Sequence, residues 1–509
     1  MLEIARNSNI GIRSDCGGRG VCGKCKIILV KGKLSDPSEA ERKILKEELA
    51  ENYRLACQSK PLADSVIFIP KESRLEARKV EESSIEPEVE LDPAISAESP
   101  DGRIFGLAID IGSSKLVCHL VDLESGKTVA KAYAENPQVA YGEDVVSRIT
   151  YAKSEENLSK LQAVVVEALN KLIGELCSEA GISENEIYEA VVVGNSVMHH
   201  LFFGITPKFI GVSPFTPALS SGISYPAKEI GLKINPEGMV TSLPLIAGFV
   251  GADATANLLL TKIYRNDEIS MVIDIGTNTE IILGNRERLL VCSTPSGPAF
   301  EGAHIAYGMK AVSGAIEEVE IKGEEVIYKT IDNQKPKGIC GSGIIDLVAE
   351  LFRNGIINRN GKFLREGGRV IRESVPKFVV AEAEETEFGK PITVSEKDIN
   401  EFLLAKAAIK AGWTILSARF GVSPEDIRRI YLAGSFGKHI DLENARTIGL
   451  LPKNGEVVFA GDSAVSGAKM ALKSLKERAE IEEVARMVEY VELSVEKEFQ
   501  KIYLRSIPL

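Results

Sequence analysis

The period of apolar positions changes several times along the chain, and each change predicts a different kind of element. Leu2 to Asn7 reads as a helix leading into a glycine-rich loop, and Lys26 to Val30 as a short apolar run. Ser38 to Ala50 has the charged pattern of an exposed helix, and Val66 to Ile69 that of a strand. From Lys71 to about Pro100 the sequence is rich in Glu, Ser and Pro and loses its apolar period. That composition predicts an acidic flexible linker, with a solvated helix as the alternative for its first half. From Arg103 onward strands and helices alternate. Phe105 to Asp110 is an apolar strand running into Asp-Ile-Gly, Leu158 to Ala180 a helix, and Ala190 to Val193 a buried strand. Met271 to Asp274 repeats the apolar strand and the Asp-Ile-Gly turn, and two distant copies of one signal predict an internally duplicated fold. The expected organisation is a module over 1–70, a linker over 71–102, and an α/β region in two halves, 103–265 and 266–509.

Composition narrows the class. A chain of 509 residues with 44% apolar and 26% charged residues is an ordinary soluble protein of more than one domain. A net charge of −12 argues against a general attraction to nucleic acid or an anionic membrane. The first ten residues carry Arg6 but no long apolar core, so no signal peptide is predicted. The longest apolar stretch, Leu243 to Ala252, is too short to span a bilayer and meets Asp253 at once. The expected location is cytoplasmic.

Four of the eight cysteines crowd the first sixty residues. In a large intracellular protein such a group points to a metal site rather than a disulfide framework. Cys16-Gly-Gly-Arg-Gly-Val-Cys22-Gly-Lys-Cys25, followed by Leu55-Ala56-Cys57, supplies the four thiolates that a [2Fe–2S] cluster needs. The glycines allow a tight loop and leave amides free to point at sulfur. A structural zinc site is the alternative, although zinc usually takes two close C-x-x-C pairs and here one cysteine stands alone. The spacing resembles the five-residue subclass of [2Fe–2S] ferredoxins, and the resemblance implies a small α+β β-grasp module with Cys16, Cys22, Cys25 and Cys57 as ligands. Such ferredoxins begin with a β-hairpin, so this module is expected to be shortened by two strands. Cys118, Cys177, Cys292 and Cys340 read as buried free thiols.

In Asp110-Ile-Gly112-Ser113-Ser114-Lys115 and in Asp274-Ile-Gly276-Thr277-Asn278, an apolar strand delivers a carboxylate, a glycine turn and hydroxyl donors. Such a turn suits a phosphate, and the carboxylate suits Mg²⁺ through bound water. These motifs resemble the two phosphate motifs of the actin, hexokinase and heat-shock-chaperone superfamily, which implies a duplicated ribonuclease-H-like ATPase fold binding ATP and Mg²⁺. Other parts follow in order. Asp253 lies on a resembling first connecting helix, Gly434-Ser435-Phe436 in a resembling adenosine motif, and Gly461 to Ala468 on a resembling second connecting helix. Gly341-Ser342 opens a helix that is either beside the nucleotide or a tight entry turn. Glu301 either orients the attacking water or is an acid near the start of a following helix. His199 and His200 are adjacent on a helix, face different ways and read as structural. Lys115 belongs to no Walker motif.

A [2Fe–2S] module, a linker and an actin-like ATPase in one chain resembles the reductive activators of corrinoid-dependent proteins. The resemblance implies ATP-dependent transfer of one electron from the cluster to a cobalt(II) corrinoid, restoring cobalt(I). It implies a corrinoid iron–sulfur protein or corrinoid methyltransferase as partner, and a low-potential electron donor. It also implies Asp110, Asp253, Asp274 and Glu301 as the catalytic acids. Family members carry a complete ferredoxin and a further domain before the ATPase, which leaves the domain arrangement and a possible homodimer open. Three other readings compete. They are an electron injector like the activators of 2-hydroxyacyl-CoA dehydratases, a nucleotide-switched scaffold, and a small-molecule kinase. A phosphorylated product would mark the kinase, and absence of hydrolysis the scaffold.

Overall fold

The computed structural model describes residues 1–8, 10–14, 16, 18–70, 73–74, 84–95, 103–364, 367–372, 374–434 and 440–509. The chain divides into two compact units. The first holds Met1–Glu81, Glu86–Ala256 and Gly467–Glu482, the second Glu82–Ile85, Asn257–Ser466 and Glu483–Leu509. The division at 256/257 falls inside the helix Ala252–Thr261 rather than at the 265/266 boundary that the sequence pattern suggests. A second division, at 466/467, falls inside the helix Ser463–Lys473.

The first unit opens with the cysteine module. Its antiparallel sheet has the order Tyr53–Leu55, Lys26–Lys31, Val66–Phe68, with Lys26 opposite Leu55 and Ile28 opposite Phe68. Leu2, Ile12, Ile27, Leu34, Leu45 and Leu55 form its small core. The expected helix over 38–50 is an α-helix only at Glu39–Leu45; a 3-10 helix, Lys46–Glu51, continues it. Ser38 and Glu41 close a capping box at its start. The same Glu41 carboxylate is fully buried and takes Arg54 Nε at 2.9 Å and the Leu55 amide at 3.0 Å, so it ties the helix to the strand before Cys57.

The rest of the first unit is built on a six-stranded sheet. Its order is Thr128–Glu135, Lys115–Asp122, Phe105–Ile111, Ile187–Val193, Met239–Ser242, Ser224–Pro226. The first three strands are an antiparallel meander, and the next two run parallel to the central Phe105–Ile111. The crossover helix Glu155–Ala180 starts three residues earlier than its apolar period, because Ser154 caps it. It buries Leu161, Val165, Leu169, Leu172 and Leu176 against the sheet.

The second unit repeats that plan. Its six-stranded sheet runs Glu456–Gly461, Arg429–Ala433, Ser270–Asp274, Thr279–Gly284, Leu289–Thr294, Val488–Tyr490. Ser270–Asp274 again pairs antiparallel into a three-strand meander on one side and parallel on the other. In both sheets the strand that ends in Asp-Ile-Gly is therefore the central one, flanked by the second strand of the meander and the first parallel strand. Two three-stranded sheets are added in this unit, Ala315–Lys322 with its partners and Lys377–Ala381 with its partners. The duplication expected from the repeated turn is thus present in strand order and direction.

Nothing in the apolar pattern marks how the linker is held. Over 84–95 it carries no helix, and from Glu86 on it belongs to the first unit. Asp92 exchanges backbone hydrogen bonds with Lys473 and Leu475, at 2.8 Å each. Glu86 accepts from Thr128 at 2.6 Å, from Lys469 at 3.0 Å and from Lys473. The two lysine side chains are 0% and 3% exposed, so Glu86 is the counter-charge that makes their burial tolerable.

Candidate functional site

The four thiols of the module stand as two pairs. Cys25 Sγ lies 3.3 Å from Cys57 Sγ, and Cys16 hydrogen-bonds Cys22. Each pair holds one thiol low and one high. Cys57 sits at about 6, chiefly through its bond from Cys25, while Cys25 is pushed well up by the same bond and by burial. Cys16 is lowered against its burial by amides of Val21, Cys22 and Gly18, while burial raises Cys22 to about 11. Among the described residues no three thiol, imidazole or carboxylate groups gather as a site for one ion would require. Two pairs fit a two-iron cluster, each pair serving one iron, better than they fit a four-cysteine zinc site. Gly20, at φ +73, adopts a backbone conformation that other residues rarely take, and it lies against the Gln58 side chain, whose Nε2 is 2.6 Å from its Cβ position. That amide also donates to the Gly18 carbonyl at 3.3 Å, closing the loop over Cys57.

In the first unit, Asp110 stands at the end of the central strand, opposite Val193 of the parallel strand beside it. The next residue, Gly194, accepts the amides of Ala252 at 2.9 Å and of Asp253 at 3.3 Å. Asp253 therefore starts its helix at the same end of the sheet as Asp110. Both acids are half-buried, as side chains facing a recess would be. The loop Gly112-Ser113-Ser114 is held from behind. Asn136, just after the third strand of the meander, donates its Nδ2 to the Gly112 carbonyl at 2.8 Å and its backbone amide to the Ser114 carbonyl at 3.0 Å. Arg148, on the helix Val145–Tyr151, donates Nη2 to the Ser113 carbonyl and Nε to the Gly142 carbonyl at 2.8 Å. In a trans peptide the N–H points opposite to the C=O. Pulling these carbonyls inward turns the amides of Ser113 and Ser114 outward, the arrangement that cradles an anion.

The second unit makes the same loop with other residues. The Gly276 carbonyl accepts Ser296 Oγ at 3.0 Å, and the Thr277 carbonyl accepts the Gly297 amide at 2.9 Å. Ser296, like Asn136, follows the third strand of its meander. Asp274 ends the central strand opposite Ala433, and a Cβ on the next residue of that strand's loop, Gly434 at φ +85, would lie 3.1 Å from Asp274 Oδ1. Asn257 Nδ2 donates to Asp274 Oδ2 at 2.7 Å. The surrounding protein raises the Asp274 carboxyl above the ordinary carboxylate range, and Asn257 offsets part of that rise. A half-buried carboxylate held by one neutral donor fits a site that takes a cation. Thr277 Oγ1 donates to Glu301 Oε1 at 2.8 Å, which places Glu301 at the phosphate-type loop. Glu301 ends a one-turn 3-10 helix, Pro298–Glu301, and no α-helix follows it before Gly341, so it is not the acid of a following helix.

Other sequence-derived candidates are placed as follows. Gly341 and Ser342 open the helix Gly341–Arg353 and are buried, and that helix packs on the Glu301 turn. Gly343 there has the Ile316 carbonyl 2.3 Å from its Cβ position, the packing of a tight entry turn. Ser435 and Phe436 lie outside the described residues. His199 and His200 are buried. His199 Nε2 meets Ser242 Oγ at 2.9 Å, and His200 bridges the Ser196 carbonyl and the Ala218 amide at 2.7 and 3.0 Å. Cys118, Cys177, Cys292 and Cys340 are buried free thiols. No helix among the described residues is long and apolar enough to cross a membrane. Sequence reasoning gave no role to Asn136, Arg148, Asn257 or Ser296. Only Asn257 lies within a motif; the others reach their loops through tertiary contacts.

Three family models match successive parts of the chain. Residues 1–62 match the model of the 2Fe-2S iron-sulfur cluster binding domain. Residues 105–266 match the RACo middle region, and 268–509 the C-terminal domain of RACo, the ASKHA domain. The corrinoid activation enzyme RamQ of Eubacterium limosum is 38% identical over 427 residues, covering 81% of this chain and 71% of that one. The [Co(II) methylated amine-specific corrinoid protein] reductase of Methanosarcina barkeri is 25% identical over 435 residues, covering 79% and 76%. A solved structure of a reductive activator for corrinoid,iron-sulfur protein superposes with a TM-score of 0.74 at 36% identity, covering 100% of this chain and 95% of that one.

Proposed function

The chain belongs to the family of reductive activators of corrinoid proteins, and from that premise we propose how its residues divide the work. It is an ATP-dependent enzyme that passes one electron from a [2Fe–2S] cluster to the cobalt(II) corrinoid of a methyl-transfer protein, returning it to cobalt(I). The observation that carries the reading is the presence, in one chain, of two thiol pairs and of two phosphate-type loops at matching positions of duplicated sheets. The cluster, when bound, supplies a single low-potential electron, near about −400 mV for plant-type centres. Cys16 and Cys22 would hold one iron and Cys25 and Cys57 the other, and the Gly18 and Gly20 amides, which bond Cys16 and Cys57, would remain beside the ligating sulfurs.

Cobalt(I) is a very strong reductant, so electron delivery runs uphill by tenfold for roughly every 59 mV. Nucleotide supplies the bias. The phosphate-type loops would bind its phosphates, Asp110 and Asp253 in the first unit and Asp274 in the second would be the carboxylates available to Mg²⁺, and Glu301 would orient the attacking water. Gly434, Ser435 and Phe436, with Gly341 and Ser342, would contact the adenosine. ATP binding would then change affinity for the corrinoid partner, by no more than the difference in its affinity for the two states. The test is anaerobic mixing of the full protein with a cobalt(II) corrinoid partner and a reductant. The cobalt(I) absorption should grow with Mg²⁺ and ATP and stay low without them. Equal growth in the absence of nucleotide would sink the reading.

A further inference from the structure

Arg148 is 0% exposed, and among the described residues it forms no ion pair. Its partners are neutral. They are the carbonyls of Ser113 and Gly142, Gln138 Oε1 at 3.5 Å and, at 2.9 Å, the sulfur of Met198. Asn136, 1% exposed, also has its amide near that sulfur, at 3.8 Å. Burial lowers the Arg148 guanidinium to about 9, against the pull of Asp144 and Glu143, which leaves it charged at neutral pH. A buried cation without an anion at contact distance is costly, and fold stability alone favours a neutral side chain at such a place. Its position gives the reason. It lies directly behind the Gly112–Ser114 loop, on the side opposite to the outward amides. In the second unit the same carbonyl positions are held by a hydroxyl and a backbone amide, with no charge.

We infer that Arg148 and Asn136 are positioning residues for the polyphosphate of the nucleotide. Together they fix the Ser113 and Ser114 amides outward, and Arg148 adds a buried positive charge that makes the first loop the more anion-selective of the two. The inference rests on the assignment of this loop to phosphate. The anion that completes the charge arrives with the ligand, so the cost of burying Arg148 is recovered on binding. Arginine suits the task because its planar fork reaches two carbonyls at once, which an ammonium cannot do in the same geometry.

The experiment compares affinities for ADP and for adenosine, measured by equilibrium dialysis on the full, cluster-loaded chain. Arg148→Met should weaken ADP by about 10- to 100-fold, the range of a lost charge-assisted contact, with adenosine unchanged within about twofold. Arg148→Lys should recover part of the ADP affinity. Unchanged ADP affinity in Arg148→Met overturns the inference. So does an equal loss for adenosine, which would mark a structural role. Should Arg148→Met fail to fold by circular dichroism, Arg148→Lys decides: ADP should weaken about threefold or more relative to adenosine, and an unchanged ratio overturns the proposal. A wild-type chain that binds neither ligand would instead sink the nucleotide assignment itself.

Discussion

The two phosphate-type loops have one backbone design and two kinds of support. Gly112–Ser114 is backed by a buried guanidinium and an asparagine, whereas Gly276–Asn278 is backed by a serine hydroxyl and an amide. The acid of the second loop has a contact of its own: Asn257 donates to Asp274, whose carboxyl burial raises above its ordinary value. Duplication therefore preserved the loop and let its surroundings diverge, with a fixed positive charge behind the first loop and only neutral donors behind the second. The two halves are not interchangeable, and substitutions at matching positions should have unequal effects.

The largest effect is expected at Asp274. Asp274→Asn keeps the shape and the bond to Asn257 but removes the charge that the proposed function assigns to Mg²⁺ binding, and ATP turnover should fall by about two to three orders of magnitude. Phosphate release measured with saturating nucleotide checks this. Asn257→Ala should come next. It leaves a half-buried carboxylate without its donor, at a cost of about 1–3 kcal/mol. The sign of its pH dependence follows from the raised carboxyl. A raised carboxyl keeps its proton to higher pH than a free one and Mg²⁺ competes with that proton, so Mg²⁺ affinity rises with pH across the range in which the carboxyl ionises. Removing Asn257 should move that rise to higher pH in a metal titration.

How much of this was legible in the sequence follows from range. The strands that end in Asp-Ile-Gly carry their own signal, because apolar side chains, an acid and a glycine are consecutive. Cys16, Cys22 and Cys25 are legible for the same reason. Arg148 and Ser296 are not, since each reaches a loop about 20 or more residues away in sequence, through a fold that pattern alone does not specify. Glu86 lies in a stretch without apolar period, and its role depends on two lysines some 380 residues later. The helix over 38–50 was legible in kind but not in extent, because the chain tightens at Lys46, at φ 46.

A smaller effect is expected from Ser296→Ala. It removes one neutral hydrogen bond to the Gly276 carbonyl, and ADP affinity should fall by about 2- to 10-fold, less than for Arg148→Met. Equal losses for the two variants would erase the difference between the loops. The smallest effect concerns the linker residue Glu86, which belongs to the first unit and bonds within it. Burial by itself would raise that carboxyl, but bonds from Lys473, Thr128 and Lys469 outweigh it and hold it at about 2. A depressed acid stabilises the fold above its ordinary value of 4.5 and loses that contribution as pH falls toward 2. Glu86→Gln should cost roughly 1 kcal/mol or less near neutral pH, since the carboxylate is half-exposed, and the difference from wild type should vanish in acid. Thermal denaturation at several pH values reads it.

The coupling of nucleotide to electron delivery is tested most directly in the Asp274→Asn chain. Its cluster is reduced chemically, and it is then mixed anaerobically with the cobalt(II) corrinoid partner, Mg²⁺ and ATP. The cysteine module is untouched, so the cluster should take up one electron as in the wild type, while the cobalt(I) absorption should fail to develop. Cobalt(I) formation at the wild-type rate, with no ATP hydrolysed, would contradict the account and leave the nucleotide region as a docking scaffold.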